Sequence, residues 1–137
     1  MPNINIEKYI INSKENVQQA MKKLDDSHRK ILFVIKDDLL LFGALTDGDI
    51  RRWILSGKSL EIPVKNVCNK TPITFGHEYN LDDIKNTMLE HQIQAVPIIN
   101  QKNQITDVLF WDTVFDEHEN FKPIVNLDMP VVIMAGG

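Results

Sequence analysis

The feature that most narrows the fold is an imperfect internal repeat. Shifted by 64 residues, Val17, Ala20, Met21 and Leu24 fall on Leu81, Ile84, Lys85 and Met88. The run Ile31–Ile35 falls on Ala95–Ile99, and Leu45 and Ile50 fall on Leu109 and Val114, with no gap. Self-similarity at a fixed period means one supersecondary unit used twice. The copies differ in their polar residues. The first carries Leu45-Thr46-Asp47-Gly48-Asp49-Ile50-Arg51-Arg52; in the second, Phe110 stands where Thr46 does and Thr113 where Asp49 does.

Periodicity gives each copy the same order of elements. Residues 4–11 read as a turn or short helix and an extended entry. The polar stretch at 12–16 caps a helix whose apolar positions are Val17, Ala20, Met21 and Leu24. Ile31–Ile35 is a continuous β-prone run, and residues 39–45 form a second strand interrupted at Gly43, where another backbone or a ligand approaches closely. Thr46 or Asp47 then caps a helix through Ile50, Trp53, Ile54 and Leu55, which Gly57 stops. Pro63 and Pro72 punctuate a connector. The second copy follows: an extended segment at 73–75, a helix Leu81–His91 with Leu81, Ile84, Met88 and Leu89 inward, strands Ala95–Ile99 and Ile105–Phe110, and a helix starting near Asp112.

Bulk properties exclude several classes. A chain of 137 residues, 43% hydrophobic and 25% charged, supports one compact domain or two halves sharing a core. A net charge of −4, with lysines scattered rather than striped, argues against a nucleic-acid surface. The lone Cys68 makes no intramolecular disulfide, and the dispersed His28, His77, His91 and His118 match no metal spacing. The N-terminus does not read as a secretory leader, and the longest apolar run is too short to span a bilayer. No complete catalytic set is apparent, so the expectation is a binding module and not an enzyme, without metal and without membrane or nucleic-acid partners.

With the repeat in place, Gly43-Ala44-Leu45-Thr46-Asp47-Gly48-Asp49-Ile50 and Ala95-Val96-Pro97-Ile98-Ile99 resemble the two copies of a tandem CBS-domain pair, a family named after cystathionine β-synthase. The resemblance covers residues 4–118. It implies an α/β (α+β) fold of two pseudo-twofold β-α-β-β-α repeats packed through their sheets, with repeat boundaries at 1–62 and 63–118. It also implies a regulatory adenine nucleotide (AMP, ADP or ATP) in a cleft between the copies, a homodimer and a cytoplasmic setting. The implied binding residues are Thr46, Asp47, Asp49, Arg51 and Arg52, with Ile31 and Phe33 on the strand beside the base. The chemistry is coherent. A carboxylate at a helix start accepts ribose hydroxyls, and a Thr hydroxyl with first-turn N–H groups holds phosphate. Arg51 or Arg52 adds a charge-assisted bond. The same residues also read as a helix cap, with the arginines paired to Asp47 and Asp49. Phe110 or Trp111 would fill the second cleft or an interface.

Residues 119–130 read as a linker. The segment Met129-Pro130-Val131-Val132-Ile133-Met134-Ala135-Gly136-Gly137 resembles the first strand and glycine turn of sugar-phosphate nucleotidyltransferases. That resemblance implies that residues 131–137 open a catalytic domain of that class, regulated by the pair. The alternative is a structural dimerisation module with a vestigial cleft.

Overall fold

A computed structural model describes residues 6–119, with side chains described through Phe115. Of the expected linker at 119–130, Glu119 is the last residue of a helix; the remainder and the glycine-ended strand at 131–137 lie outside the described residues.

Each copy is a strand, a helix, two strands and a helix. The first comprises β1 (Ile10–Asn12), α1 (Val17–Ser27), β2 (Ile31–Ile35), β3 (Leu41–Thr46) and α2 (Asp47–Leu55). The second comprises β4 (Phe75–Gly76), α3 (Leu81–His91), β5 (Ala95–Ile99), β6 (Ile105–Phe110) and α4 (Trp111–Glu119). Each sheet has three strands, ordered β1-β2-β3 and β4-β5-β6. The first pair in each is parallel and the second antiparallel.

The period holds down to single hydrogen bonds. Asp47 N–H donates to Lys30 O at 3.0 Å, and Trp111 N–H donates to Gln94 O at 2.7 Å. Both antiparallel ladders slip at equivalent points, between Val34 and Ile35 and between Ile98 and Ile99. Both α1 and α3 stop on a left-handed residue, His28 and Gln92. Helix starts follow the side chains available: Asn16 and Gln19 form a reciprocal capping box on α1, and the Asn80 side chain accepts from Asp82 and Asp83 N–H on α3.

Three apolar clusters make the layers. One lies between α1, α2 and the first sheet and includes Val17, Leu32, Leu45 and Ile50. Its counterpart includes Ile84, Met88, Val96 and Val114. The third lies between the sheets and joins Ile31, Phe33 and Ala44 to Ala95, Val108 and Phe110. This shared layer is why neither half is a complete domain.

Several local expectations need correction. The strand read as 39–45 starts at Leu41, because Asp38 and Leu39 turn through positive φ. The extended segment at 73–75 pairs only at Phe75 and Gly76. Helix α4 begins one residue early, at Trp111. Leu89 faces outward and is 55% exposed, since it falls off the Leu81–Ile84–Met88 stripe. Gly43 does mark a close approach. A Cβ there would lie 2.5 Å from Asn69 O and 2.8 Å from Cys68 Sγ. Ala44 and Asn69 exchange backbone hydrogen bonds at 2.8 and 2.9 Å, pinning the connector along the edge of β3.

Candidate functional site

That connector, the edge of the shared layer and the start of α2 enclose a cleft of about 440 Å³, within the usual size of small-molecule sites, about 300–1,000 Å³. Ile31, Phe33 and Ala44 come from the first sheet and Ala95 and Pro97 from the second. Thr46 and Asp49 stand at the start of α2, while Asn69, Thr71 and Ile73 come from the connector and His91 and Ile93 from the end of α3. The walls are apolar, and the few polar groups converge from three segments.

Thr46 is the N-cap of α2. Its Oγ1 accepts from Asp49 N–H at 3.1 Å, and Asp49 Oδ2 accepts from Thr46 N–H at 3.0 Å. Asp49 Oδ1 accepts from Arg52 Nη2 at 2.6 Å. The geometric requirements of a helix cap are therefore met. They do not exhaust the carboxylate, which offers about four lone-pair directions and has two in use here. The Asp49 side chain is 19% exposed, and the Arg52 side chain is 74% exposed.

The expected binding set thus divides. Thr46, Asp49, Ile31 and Phe33 line one cleft. Asp47 and Arg51 pair with each other at 2.8 Å and line a different depression, of about 430 Å³, with Met21, Ile54 and Leu55 between α1 and α2. Arg52 reaches the cleft only through Asp49. Asn69, Thr71 and His91 went unselected in the sequence, because nothing in their local patterns marks them; they arrive through the connector and the neighbouring copy.

The pseudo-symmetric position in the second copy is filled. Phe110, at the place of Thr46, is 2% exposed. Tyr9, which corresponds to Ile73, packs edge-on against it with ring centroids 4.7 Å apart. Arg29, which corresponds to Ile93, lies 4.0 Å above the Phe110 ring and donates to Asp112 Oδ2 at 3.0 Å. Burial alone would raise the Asp112 carboxyl, but the Arg29 hydrogen bond and charge, with backbone N–H donors, hold it below the ordinary carboxylate range. Trp111 takes no part in this plug; it packs on Phe115.

Residues 64–111 match the CBS domain family profile. The fold is that of a CBS pair. The plant protein CBSX2 of Arabidopsis thaliana, solved in complex with AMP, superposes with a TM-score of 0.73 at 20% identity, covering 83% of this chain and 89% of that one. The CBS pair of MJ0100, solved with 5′-methylthioadenosine and S-adenosyl-L-methionine, superposes with a TM-score of 0.72 at 15% identity, covering 82% and 88%. By sequence, the chain is similar to the arabinose 5-phosphate isomerase GutQ of Escherichia coli, 28% identical over 94 residues. Those residues are 69% of this chain and 29% of the isomerase, so the chain matches under a third of the relative's length. Among the described residues there is no group of three or more His, Cys, Asp or Glu that could hold a metal, and no helix is long and apolar enough to cross a membrane.

Proposed function

We propose that this chain is a regulatory CBS pair that takes one adenine nucleotide or related adenosyl compound in the cleft beneath Thr46 and Asp49. The observation that carries this reading is the asymmetry of the two clefts. Thr46 and Asp49 border an apolar slot, while Phe110, Tyr9 and Arg29 fill the equivalent one. Asp49 uses its free lone pairs for ribose hydroxyls. The Thr46 hydroxyl and first-turn N–H groups hold phosphate. Ile31 and Phe33 face Ala95 and Pro97 across the base. Arg52 gives up Asp49 for a phosphate oxygen when one is present. The adenosyl ligands of CBSX2 and MJ0100 support the ligand class.

In this reading the regulated partner is a sugar-phosphate nucleotidyltransferase domain opened by residues 131–137, and binding controls it by favouring one arrangement of the pair. The transferase rests on the Val131–Val132–Ile133–Met134–Ala135–Gly136–Gly137 string. The similarity to an arabinose 5-phosphate isomerase supports an association with sugar-phosphate enzymes in general. The reading also includes a cytoplasmic homodimer; Met21, Ile54 and Leu55 leave an apolar strip exposed on α1 and α2, with Leu55 at 79%.

The second reading, a structural dimerisation module, is favoured by the complete capping box, which gives Thr46 and Asp49 a purpose without ligand. Thermal melting with AMP, ADP, ATP and S-adenosylmethionine separates them. A ligand at about 100 times its Kd adds about 2.7 kcal/mol. The sensor reading requires a saturable rise in Tm for at least one compound and its loss in Asp49→Ala. That variant melts lower under both readings because the carboxylate half of the capping box is gone, so the ligand-induced shift is the deciding quantity. No shift with any compound at millimolar concentration leaves the structural module.

A further inference from the structure

The first copy holds a further cavity, built from residues that the nucleotide reading leaves unused. Its volume is about 320 Å³. Lys14, Lys36 and Lys65 line it from three separate segments, with Asp37 the one carboxylate among the lining residues. None of the three lysines is in an ion pair among the described residues. Lys36 Nζ lies 4.6 Å from the centre of the Phe42 ring, which forms part of the wall.

Ser13 also lines this cavity and is 5% exposed, the one buried polar residue of the described core. Its backbone is satisfied: N–H donates to Ile35 O at 2.8 Å, and O accepts from Lys65 N–H at 3.3 Å. Its hydroxyl has no hydrogen-bond partner among the described residues. A buried hydroxyl without a partner leaves its desolvation uncompensated, and such groups in native folds call for an explanation, a bound ligand among them.

The repeat supplies the comparison. Ser13, Lys14, Lys36 and Asp37 correspond to His77, Glu78, Asn100 and Gln101, which line the equivalent depression of the second copy. The shared scaffold therefore does not require the positive charge, and the first copy concentrates it on a chain whose net charge is −4.

We propose that the juxtaposition of the Ser13 hydroxyl with Lys14, Lys36 and Lys65 is a binding site for a phosphate group, free or carried by a small molecule, separate from the nucleotide cleft. Three ammonium groups outweigh one carboxylate and match a dianion. The buried hydroxyl adds an O–H donor to the rotatable N–H donors of the ammonium groups. The volume, at the low end for ligand sites, suits inorganic phosphate or a sugar monophosphate.

The test is a titration of the whole chain with inorganic phosphate, followed by amide NMR shifts, at ionic strength held constant with chloride. The expected result is saturable movement of the Ser13, Lys14, Lys36 and Lys65 signals at millimolar phosphate. Lys36→Gln/Lys65→Gln weakens it at least tenfold and Ser13→Ala severalfold, whereas Lys102→Gln, in the equivalent depression, leaves it unchanged. Asp49→Ala also leaves it unchanged, which keeps this site's outcome apart from that of the nucleotide cleft. A sugar monophosphate that binds more tightly than phosphate identifies the carried group as the ligand; equal affinity identifies the free anion. The proposal is overturned by absence of saturation, by shifts spread evenly over all lysines, or by binding that survives the double variant. It is equally overturned if an acidic peptide moves these signals and phosphate does not.

Discussion

Removing the Phe110 ring tests the plugged cleft quantitatively. The ring is almost fully buried in the layer shared by both sheets, touches Tyr9 edge-on at 4.7 Å and lies 4.0 Å under the Arg29 guanidinium. Phe110→Ala removes its buried contacts and leaves a cavity bounded by two sheets that cannot both relax, so a loss of about 3–5 kcal/mol is expected. The aromatic and cation–π contacts are part of that loss and are not added to it. For a chain of this size each kcal/mol moves Tm by about 3–5 °C, giving a fall of roughly 10–20 °C. Urea unfolding should show a lower midpoint at unchanged slope. A double-mutant cycle with Arg29→Ala should return a coupling of about 0.5–1 kcal/mol, since the guanidinium is only partly exposed. A total loss under about 1 kcal/mol would refute the argument, because it would mean that the ring is not wedged between the copies.

Other substitutions follow from the same geometry. Gly43→Ala drives a Cβ onto the backbone carbonyl of Asn69 and should cost about 1–3 kcal/mol by denaturant melting. Thr46→Ala removes the cap of α2 and should cost about 0.5–2 kcal/mol, read by the same melt. Cys68 is buried, and that burial pushes its thiol above the ordinary range, with the nearby Lys70 charge opposing. The unfolded thiol loses its proton at lower pH than the folded one. Its contribution to stability is therefore full below the ordinary thiol range and falls as pH rises through the folded value. Iodoacetamide at pH 8.5 should accordingly label the folded chain at least about tenfold more slowly than the urea-unfolded chain. Leu55→Glu should shift a homodimer to monomer in sedimentation without lowering Tm of the monomer; an unchanged mass would exclude α2 from the interface.

The fold was legible because periodicity and packing are both local-to-repeat properties. Val17, Ala20 and Leu24 face the same layer as Ile84 and Met88 do in the other copy, so one pattern read twice yields both halves. Thr46 and Asp49 were legible because a cap and a ligand turn demand the same residue types. The rest of the site was not, for a topological reason. Asn69, Thr71 and His91 reach the cleft from a connector and from the opposite copy, and no spacing along the chain encodes that meeting. Arg29 and Asp112, 83 positions apart, pair for the same reason. Asp47 and Arg51 read as ligands by adjacency, yet helical geometry turns them to the α1 side, about 100° per residue away from their neighbours. The lysines look scattered in sequence, and three of them converge only when β1, β2 and the connector are assembled.

The central claim is that one cleft is open and its pseudo-symmetric counterpart closed. Calorimetric titration of the chain with AMP measures this directly. A stoichiometry near one per chain, abolished by Asp49→Ala, is the predicted result. Two molecules per chain, or one that binds undiminished to Asp49→Ala, would contradict it.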